Sequence, residues 1–221
     1  MKILVACECS GKVWDEFIKL GYDATSCDIL PTENPGPHYQ GNIDDIIDEQ
    51  WDVMIAFPPC THLAVSGAAW FEQKKKDGRQ QSAIDFFMKL ANAPITHIAI
   101  ENPIGIMSNI WRKPDQIIHP YYYGDPVRKA TCLWLKNLPK LFHQKSDDLF
   151  YQSNYTIPDV VIYKDGKSYS GPAAKWYRTS EERSRERSRT YDGIAQAMAT
   201  QWSEFLINQY KSNNQPQWNK K

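Results

Sequence analysis

The strongest constraint on the fold is a short apolar run that two prolines cut off. The run occupies residues 52–57, and Pro58 and Pro59 follow it directly, ahead of Cys60. An apolar run of this length, bounded by turn residues, predicts a buried strand. Because proline cannot continue a central strand, the strand has to end there. The pattern therefore favours a parallel strand whose carboxyl end presents Cys60.

Similar runs alternate with stretches of helical periodicity along the chain. Strands are predicted at residues 2–6, 22–27, 95–100 and 130–135, and helices at residues 13–20, 80–90 and 194–210. Alternation of this kind is typical of a doubly wound, mainly parallel sheet. We therefore predict an α/β, Rossmann-like fold. Ser10 is expected to cap the first helix and Gly21 to end it.

The domain organisation is predicted from where this alternation stops. A chain of 221 residues fits one domain with a small insertion, and we place that domain at residues 1–211. Residues 137–186 contain two short strand-like segments around Asp165-Gly166, which predicts a hairpin insertion. Residues 64–78 are expected to form a mobile loop, and the polar residues 212–221 a disordered tail.

Composition narrows the functional classes. Lys plus Arg and Asp plus Glu each total 26, so net charge gives no indication of a nucleic-acid partner. The five cysteines are odd in number and irregularly spaced, which favours free thiols in a reducing compartment such as the cytoplasm. Their spacing completes no metal site. No apolar run approaches the ~20 residues that span a membrane, so no membrane partner is expected.

A candidate thiol and a candidate acid follow two of the predicted strands. Cys60 follows residues 52–57, and Glu101 and Asn102 follow residues 95–100. The carboxyl ends of parallel strands share one edge, where ligands gather in open α/β sheets. The pairing indicates covalent chemistry on an electrophilic ring or carbonyl. The alternative is an inert cysteine in a strand-ending turn.

Several segments together resemble the cytosine carbon-5 DNA methyltransferases, in the compact form found in phage and prophage genomes. The match runs in order over residues 2–136 and resumes at about residues 187–202. It is carried by residues 6–11, Asp28, residues 41–43, Pro58-Pro59-Cys60, Glu101-Asn102-Pro103, residues 128–135 and residues 189–198. The resemblance implies a class I methyltransferase that uses S-adenosyl-L-methionine.

The resemblance also implies roles for individual residues. Cys60 would be the nucleophile, Glu101 would hold the flipped cytosine, Asn102 would orient Glu101, and Arg128 would steady the ring carbonyl. Asp28 would bind the ribose hydroxyls of the cofactor, although it fits a loop cap equally well. The residues expected at the cofactor are Cys7, Glu8, Ser10, Gly11, Asp28, Ile29, Asn42, Ile43, Phe57, Pro58, Gly193 and Ala195.

The chain departs from that family where its target-recognition domain would be, because residues 137–186 are too few to build one. Without that domain we expect a DNA substrate that is single-stranded or locally opened, because a base leaves the stack most easily there. A second departure is the cofactor loop, which has one glycine where the family has two or three. Phosphate contacts are expected from basic residues that fit a solvated surface equally well. They are Lys74, Lys75, Lys76, Arg183, Arg185, Arg187 and Arg189.

Two alternatives to a DNA methyltransferase stay open at this point. The acceptor would be RNA or a free pyrimidine nucleotide in the first. In the second, the chain would be a catalytically decayed methyltransferase fold that binds nucleic acid or a nucleotide, or counters a host defence protein. Retention of Cys60 and Glu101 argues against decay, and the glycine-poor cofactor loop argues for it.

Overall fold

The structure, a computed structural model, describes residues 1–143, 155–164 and 166–213. Within them, seven strands form one sheet in the order β3-β2-β1-β4-β5-β7-β6. The strands are β1 (Lys2–Ala6), β2 (Asp23–Asp28), β3 (His38–Gln40), β4 (Val53–Ala56), β5 (His97–Pro103), β6 (Gln116–Ile118) and β7 (Thr131–Lys136). Strand β7 runs antiparallel to β5 and β6, and the other neighbouring pairs are parallel. The predicted Rossmann-like α/β fold is confirmed.

Helices cover both faces of the sheet. They are α1 (Lys12–Lys19), α2 (Phe71–Lys76), α3 (Arg79–Ala91), α4 (Met107–Ile110), α5 (Ser180–Ser188) and α6 (Asp192–Asn213). Successive side chains of a strand point to opposite faces, so Ile3 of β1 packs with α1 and α6 while Leu4 packs with α3. None of the helices in the described ranges combines the length and apolar character that a membrane crossing requires.

The sheet order places one edge where several functional segments meet. The chain leaves β1 for β2 on one side and later returns to β4 on the other, so β1 and β4 flank a topological switch point. Ligands bind outside the carboxyl ends of the strands at such a point. Because β7 is reversed, its first residue, Thr131, pairs with Pro103 at the end of β5. The start of β7 therefore lies at this same edge.

Two local predictions are wrong. Ser10 does not occupy the N-cap of α1, because Gly11 does so with a left-handed φ of 74°, and the Ser10 hydroxyl accepts only a long bond from the Lys12 N–H at 3.4 Å. The carboxylate of Glu8 instead accepts from the Val13 N–H at 2.9 Å. Residues 64–78 are not an irregular loop, since a 3₁₀ helix (Val65–Trp70) leads directly into α2. Helix α2 forms although three of its six residues are lysines.

Other boundaries agree with the sequence pattern in part, because β5 continues to Pro103 beyond the predicted end at residue 100 and α6 takes up residues 212–213 of the predicted tail. Gly21 has a φ of 82° after α1, the left-handed conformation that glycine adopts at a helix end. The hairpin is present as β8 (Val161–Ile162) paired with β9 (Ser168–Tyr169). Helix α6 extends to Asn213, and residues 214–221 of the predicted tail lie outside the described residues, as does Asp165 in the hairpin turn.

Candidate active-site cavity

A cavity of about 920 Å³ opens at the carboxyl edge of the sheet. Segments that follow β1, β2, β4 and β5 contribute to its wall, together with the segment before β7 and helix α5. Sites for small molecules and cofactors have volumes of roughly 300–1,000 Å³. The cavity is therefore large enough to hold two small ligands or one of cofactor size with part of a second.

Cys60 lies in the wall of this cavity at the end of the β4 turn. The turn is fixed because the Cys60 carbonyl accepts from the N–H groups of Leu63 at 3.0 Å and Ala64 at 2.9 Å. Burial raises the pKa of the thiol, and the negative charge of Glu101 raises it further, while Lys129 and Arg187 act in the opposite direction. The thiol therefore lies within electrostatic reach of one carboxyl group and two cations.

Glu101 lines the same cavity from β5. Burial raises the pKa of its carboxyl group, and this is opposed by the positive charge of Lys129 and by a hydrogen bond from the Thr131 side chain. In the pairing of β5 with β7, Leu133 lies directly opposite Glu101. Thr131 is two residues before Leu133 on the same face of β7, so its side chain is a diagonal neighbour of Glu101. A carboxyl group with a raised pKa keeps its proton to higher pH, which suits a hydrogen-bond donor or acid.

Lys129 is the cation that acts on both Cys60 and Glu101, although the sequence pointed to Arg128. The Lys129 ammonium donates to the Arg187 carbonyl at 2.9 Å and lies 5.6 Å from the centre of the Tyr191 ring. Arg128 does not line the cavity; its guanidinium donates to Ser168 Oγ at 2.6 Å. Arg128 therefore anchors the hairpin.

Asn102 is placed differently from the prediction. It is 2% exposed, and its Nδ2 donates to the Pro58 carbonyl at 2.7 Å instead of orienting Glu101. This bond ties the end of β5 to the turn that carries Cys60. Asn102 therefore fixes the position of the two functional segments relative to each other.

Removal of this bond has a measurable consequence. Asn102→Ala leaves the Pro58 carbonyl buried without its donor, so we expect the free energy of unfolding to fall by about 1–3 kcal/mol. Urea denaturation measures the change. The control is Asn109→Ala on α4, an exposed position where the change should stay within about 0.5 kcal/mol. Equal stabilities of the two variants would contradict a role for Asn102 in fixing the turn.

Most residues predicted at the cofactor line the cavity, and three do not. Those that line it are Cys7, Glu8, Ser10, Asp28, Ile29, Asn42, Ile43, Phe57 and Pro58. Gly11 is taken up by the start of α1. The Gly193 N–H donates to Asp125 at 2.9 Å, and Ala195 is packed in the core with α1. Gly193 and Ala195 thus support the site from the core, whereas Arg189 and Thr190 of the same segment line the cavity.

The polar groups of this half of the cavity differ in how many partners they already have. Glu8 accepts from the Ser10 hydroxyl at 3.0 Å and from backbone donors of α1, so its carboxylate serves the fold. Asp28 is half-buried, and its Oδ1 accepts from the Leu30 N–H at 2.9 Å. Within the described ranges no donor reaches Oδ2 of Asp28. Asp28 is therefore the carboxylate best placed to accept from a ligand.

Helix α5 forms a basic wall that is partly neutralised. Arg185 and Arg189 both form ion pairs with Glu33 in the β2–β3 loop. Burial tends to raise the pKa of Glu33, but the bonds from these two guanidinium groups outweigh it and lower the pKa. No carboxylate of the described residues pairs with Arg183 or Arg187, which also line the cavity. Two of the four predicted arginines are thus bound to the protein itself.

The lysine run is not a uniform exposed surface. Lys74 is only 8% exposed, and its Nζ donates to the Thr61 carbonyl at 2.7 Å, so it supports the segment after Cys60. Lys75 pairs with Glu72 at 3.2 Å. Lys76 is exposed. The run was expected to contact phosphates as a group, but helical spacing turns Lys74 inward.

Comparisons with known proteins give a resemblance of structure. No protein-family model matches the chain, and no curated protein matches its sequence. Among solved structures, it is similar to a proposed DNA modification methyltransferase encoded within a prophage of E. coli, with 17% identity and a TM-score of 0.46. The match covers 67% of this chain and 52% of that one, so the chain spans about half the length of that protein. Within the described residues no cluster of His, Cys, Asp and Glu could hold a metal ion.

Proposed function

We propose that this protein is an S-adenosyl-L-methionine-dependent methyltransferase that acts on carbon 5 of cytosine in DNA through a covalent bond to Cys60. The observation that supports the proposal most is the convergence of Cys60, Glu101 and Lys129 in one cavity. A nucleophile, an acid with a raised pKa and a cation are the groups that activation of a pyrimidine ring requires. The cavity also holds the residues proposed for the cofactor.

Each of the three groups has a task in this chemistry. Carbon 5 of cytosine is a poor nucleophile until a thiolate adds to carbon 6. Cys60 supplies the thiolate, and Glu101 gives a proton to nitrogen 3, where negative charge develops. S-adenosyl-L-methionine supplies, when bound, the electrophilic methyl group for carbon 5. Loss of the carbon 5 proton to a base then expels the Cys60 thiolate, and nitrogen 3 returns its proton to Glu101. The positive charge of Lys129 favours the thiolate throughout.

Residues at the carboxyl ends of β1, β2 and β4 have the chemistry to bind S-adenosyl-L-methionine. Phe57, Ile29 and Ile43 give apolar walls for an adenine ring, and Asp28 gives a carboxylate for ribose hydroxyls. The cofactor carries no phosphate, so the single glycine of the β1–α1 loop is compatible with it. Cys7 bends the chain there with a φ of 59°, a conformation that few residues other than glycine adopt.

The Asp28 assignment can be tested by affinity. Asp28→Asn preserves an acceptor for the Leu30 N–H but loses the charge, and we expect S-adenosyl-L-methionine to bind about tenfold or more weakly, the value of one charge-assisted hydrogen bond. Isothermal titration calorimetry measures this. Asp23→Asn, at the opposite end of β2, is the matched control and should bind like wild type. Unchanged affinity of the Asp28 variant would place the ribose elsewhere.

The reaction is tested by the modified base itself. Protein, S-adenosyl-L-methionine and DNA are incubated, and the nucleosides are analysed by mass spectrometry with RNA and free cytidine nucleotides as parallel acceptors. We expect 5-methylcytosine in the DNA. Methylation of RNA or nucleotides alone would correct the acceptor. Methyl groups on exocyclic amines, or no methylated product, would refute the proposal.

A further inference from the structure

Two tryptophans are exposed on segments that form walls of the cavity. Trp70 is 63% exposed and Trp176 is 82% exposed, whereas Trp14, Trp134 and Trp202 are at most 2% exposed. Water contact with so large an apolar ring is unfavourable by about 25 cal/mol for each Å². Exposed aromatic side chains at a binding site therefore suggest a partner that covers them.

Each of these tryptophans lies three or four residues along the chain from a residue that lines the cavity. Trp70 ends the 3₁₀ helix Val65–Trp70, and Val65, Ser66 and Gly67 of that helix line the cavity. Trp176 lies between the 3₁₀ helix Gly171–Ala174 and α5, where Ser180 is the first residue that lines the cavity. A ligand that extends out of the cavity along either segment therefore runs toward a tryptophan.

Cations accompany both rings. Lys76 follows Trp70 on α2, and Lys175 and Arg178 flank Trp176; all three are exposed. Within the described part of the chain no carboxylate forms an ion pair with any of them. An exposed aromatic ring beside unpaired cations is the arrangement that binds single-stranded nucleic acid.

We propose that Trp70 and Trp176 are stacking platforms for the bases that neighbour the target base in single-stranded or locally opened DNA. This inference rests on the proposed function, because it places a cytosine in the cavity. A base that leaves its strand deprives its neighbours of a stacking partner, and an indole ring replaces that partner. Every base has a π-face, so stacking of this kind tolerates most sequences. The protein should therefore discriminate weakly between flanking sequences.

The test is equilibrium binding without the cofactor. Fluorescence anisotropy of a labelled single-stranded DNA with one cytosine is measured for the full chain and for Trp70→Ala and Trp176→Ala. Each substitution is expected to weaken binding about tenfold, and Trp→Phe should restore most of the affinity. Both rings are exposed, so the variants should fold normally. Lys76→Gln and Lys175→Gln should each reduce the slope of log affinity against log salt by about one.

The matched control is Tyr210→Ala. Tyr210 is 72% exposed on α6, far from the cavity, because its neighbour Gln209 bonds to His97 at the amino end of β5. This variant should bind DNA like wild type. Unchanged affinity in both tryptophan variants, or no binding of single strands by wild type, would overturn the inference. So would self-association that Trp176→Ala abolishes while DNA affinity stays constant, because the surface would then bind a second copy.

The result is separable from the proposed function. If wild type forms 5-methylcytosine while the tryptophan variants bind DNA normally, the stacking inference fails and the proposed function stands. If the variants lose affinity but no methylated base is ever formed, the stacking surface stands and the proposed reaction fails.

Discussion

Replacement of Cys60 by alanine is expected to abolish methyl transfer and covalent trapping together. DNA that contains 5-fluorocytosine is the probe, because its carbon 5 carries a fluorine that a base cannot remove as a proton. The thiol is then not expelled, and the protein stays bound to the DNA in a denaturing gel. Wild type should form this adduct in the presence of S-adenosyl-L-methionine. The Cys60→Ala variant should form none, with turnover at least about 10⁴-fold lower, as for other catalytic nucleophiles.

The prediction is specific to Cys60 because the other thiols of this region are disfavoured as nucleophiles. Burial raises the pKa values of Cys7, Cys9 and Cys27, and the negative charge of Asp28 raises each of them further. Burial raises the pKa of Cys132 to about 11. Cys60 alone among them has Lys129 and Arg187 opposing the increase. Only a thiolate attacks effectively.

The control is Cys132→Ala, one strand away from Glu101. Cys132 is buried in the core and lies outside the cavity wall, so its adduct yield and turnover should stay close to those of wild type. An adduct that persists in Cys60→Ala would show that another thiol attacks. An adduct lost equally in both variants would indicate a general loss of folding, which circular dichroism would detect.

The convergence of Cys60 and Glu101 was predictable from the sequence for a physical reason. Two apolar runs, each ended by a polar residue or proline, specify parallel strands, and parallel strands bring their carboxyl ends to one edge. The same rule predicted the position of Asp28. These positions depend only on strand direction and length, which hydrophobic patterning fixes.

Several errors at the site concern side-chain direction. Whether Arg128 or Lys129 faces the cavity depends on the register of the reversed strand β7, which the apolar pattern of that strand does not define. Lys74 turns inward because of its phase on α2, and Asn102 bonds to Pro58 because of the spacing between β4 and β5. Such contacts are set by tertiary packing, so one sequence cannot specify them.

Glu101→Gln is expected to lower the rate of methyl transfer by about 10²–10⁴-fold, the usual contribution of a general acid. The amide is nearly isosteric and can still accept from the Thr131 side chain, but it cannot give a proton to nitrogen 3. Single-turnover kinetics with saturating cofactor measure the chemical step. The control is Glu72→Gln on α2, an exposed residue that should retain the wild-type rate. A Glu101→Gln variant with the wild-type rate would assign the acid elsewhere.

Stability gives a second measurement on the same variant. Burial raises the pKa of Glu101 in the folded protein. The protonated folded state is therefore favoured below the pKa of the unfolded chain, and this stabilisation is lost as pH rises through the folded-state pKa. Glutamine does not titrate. We expect Glu101→Gln to become more stable than wild type as pH rises, by about 1.4 kcal/mol for each unit by which the pKa is raised. Parallel stability curves would contradict a buried, titrating Glu101.

Lys129→Met should shift the whole pH profile of the reaction rather than only reduce its rate. Lys129 lowers the pKa values of both Glu101 and Cys60. In the proposed reaction the active form has a protonated Glu101 and a Cys60 thiolate, so the two limbs of the pH profile are set by the pKa values of these two groups. Loss of the cation raises both pKa values, and both limbs therefore move to higher pH. A cation that only bound DNA would weaken affinity and leave both limbs where they are.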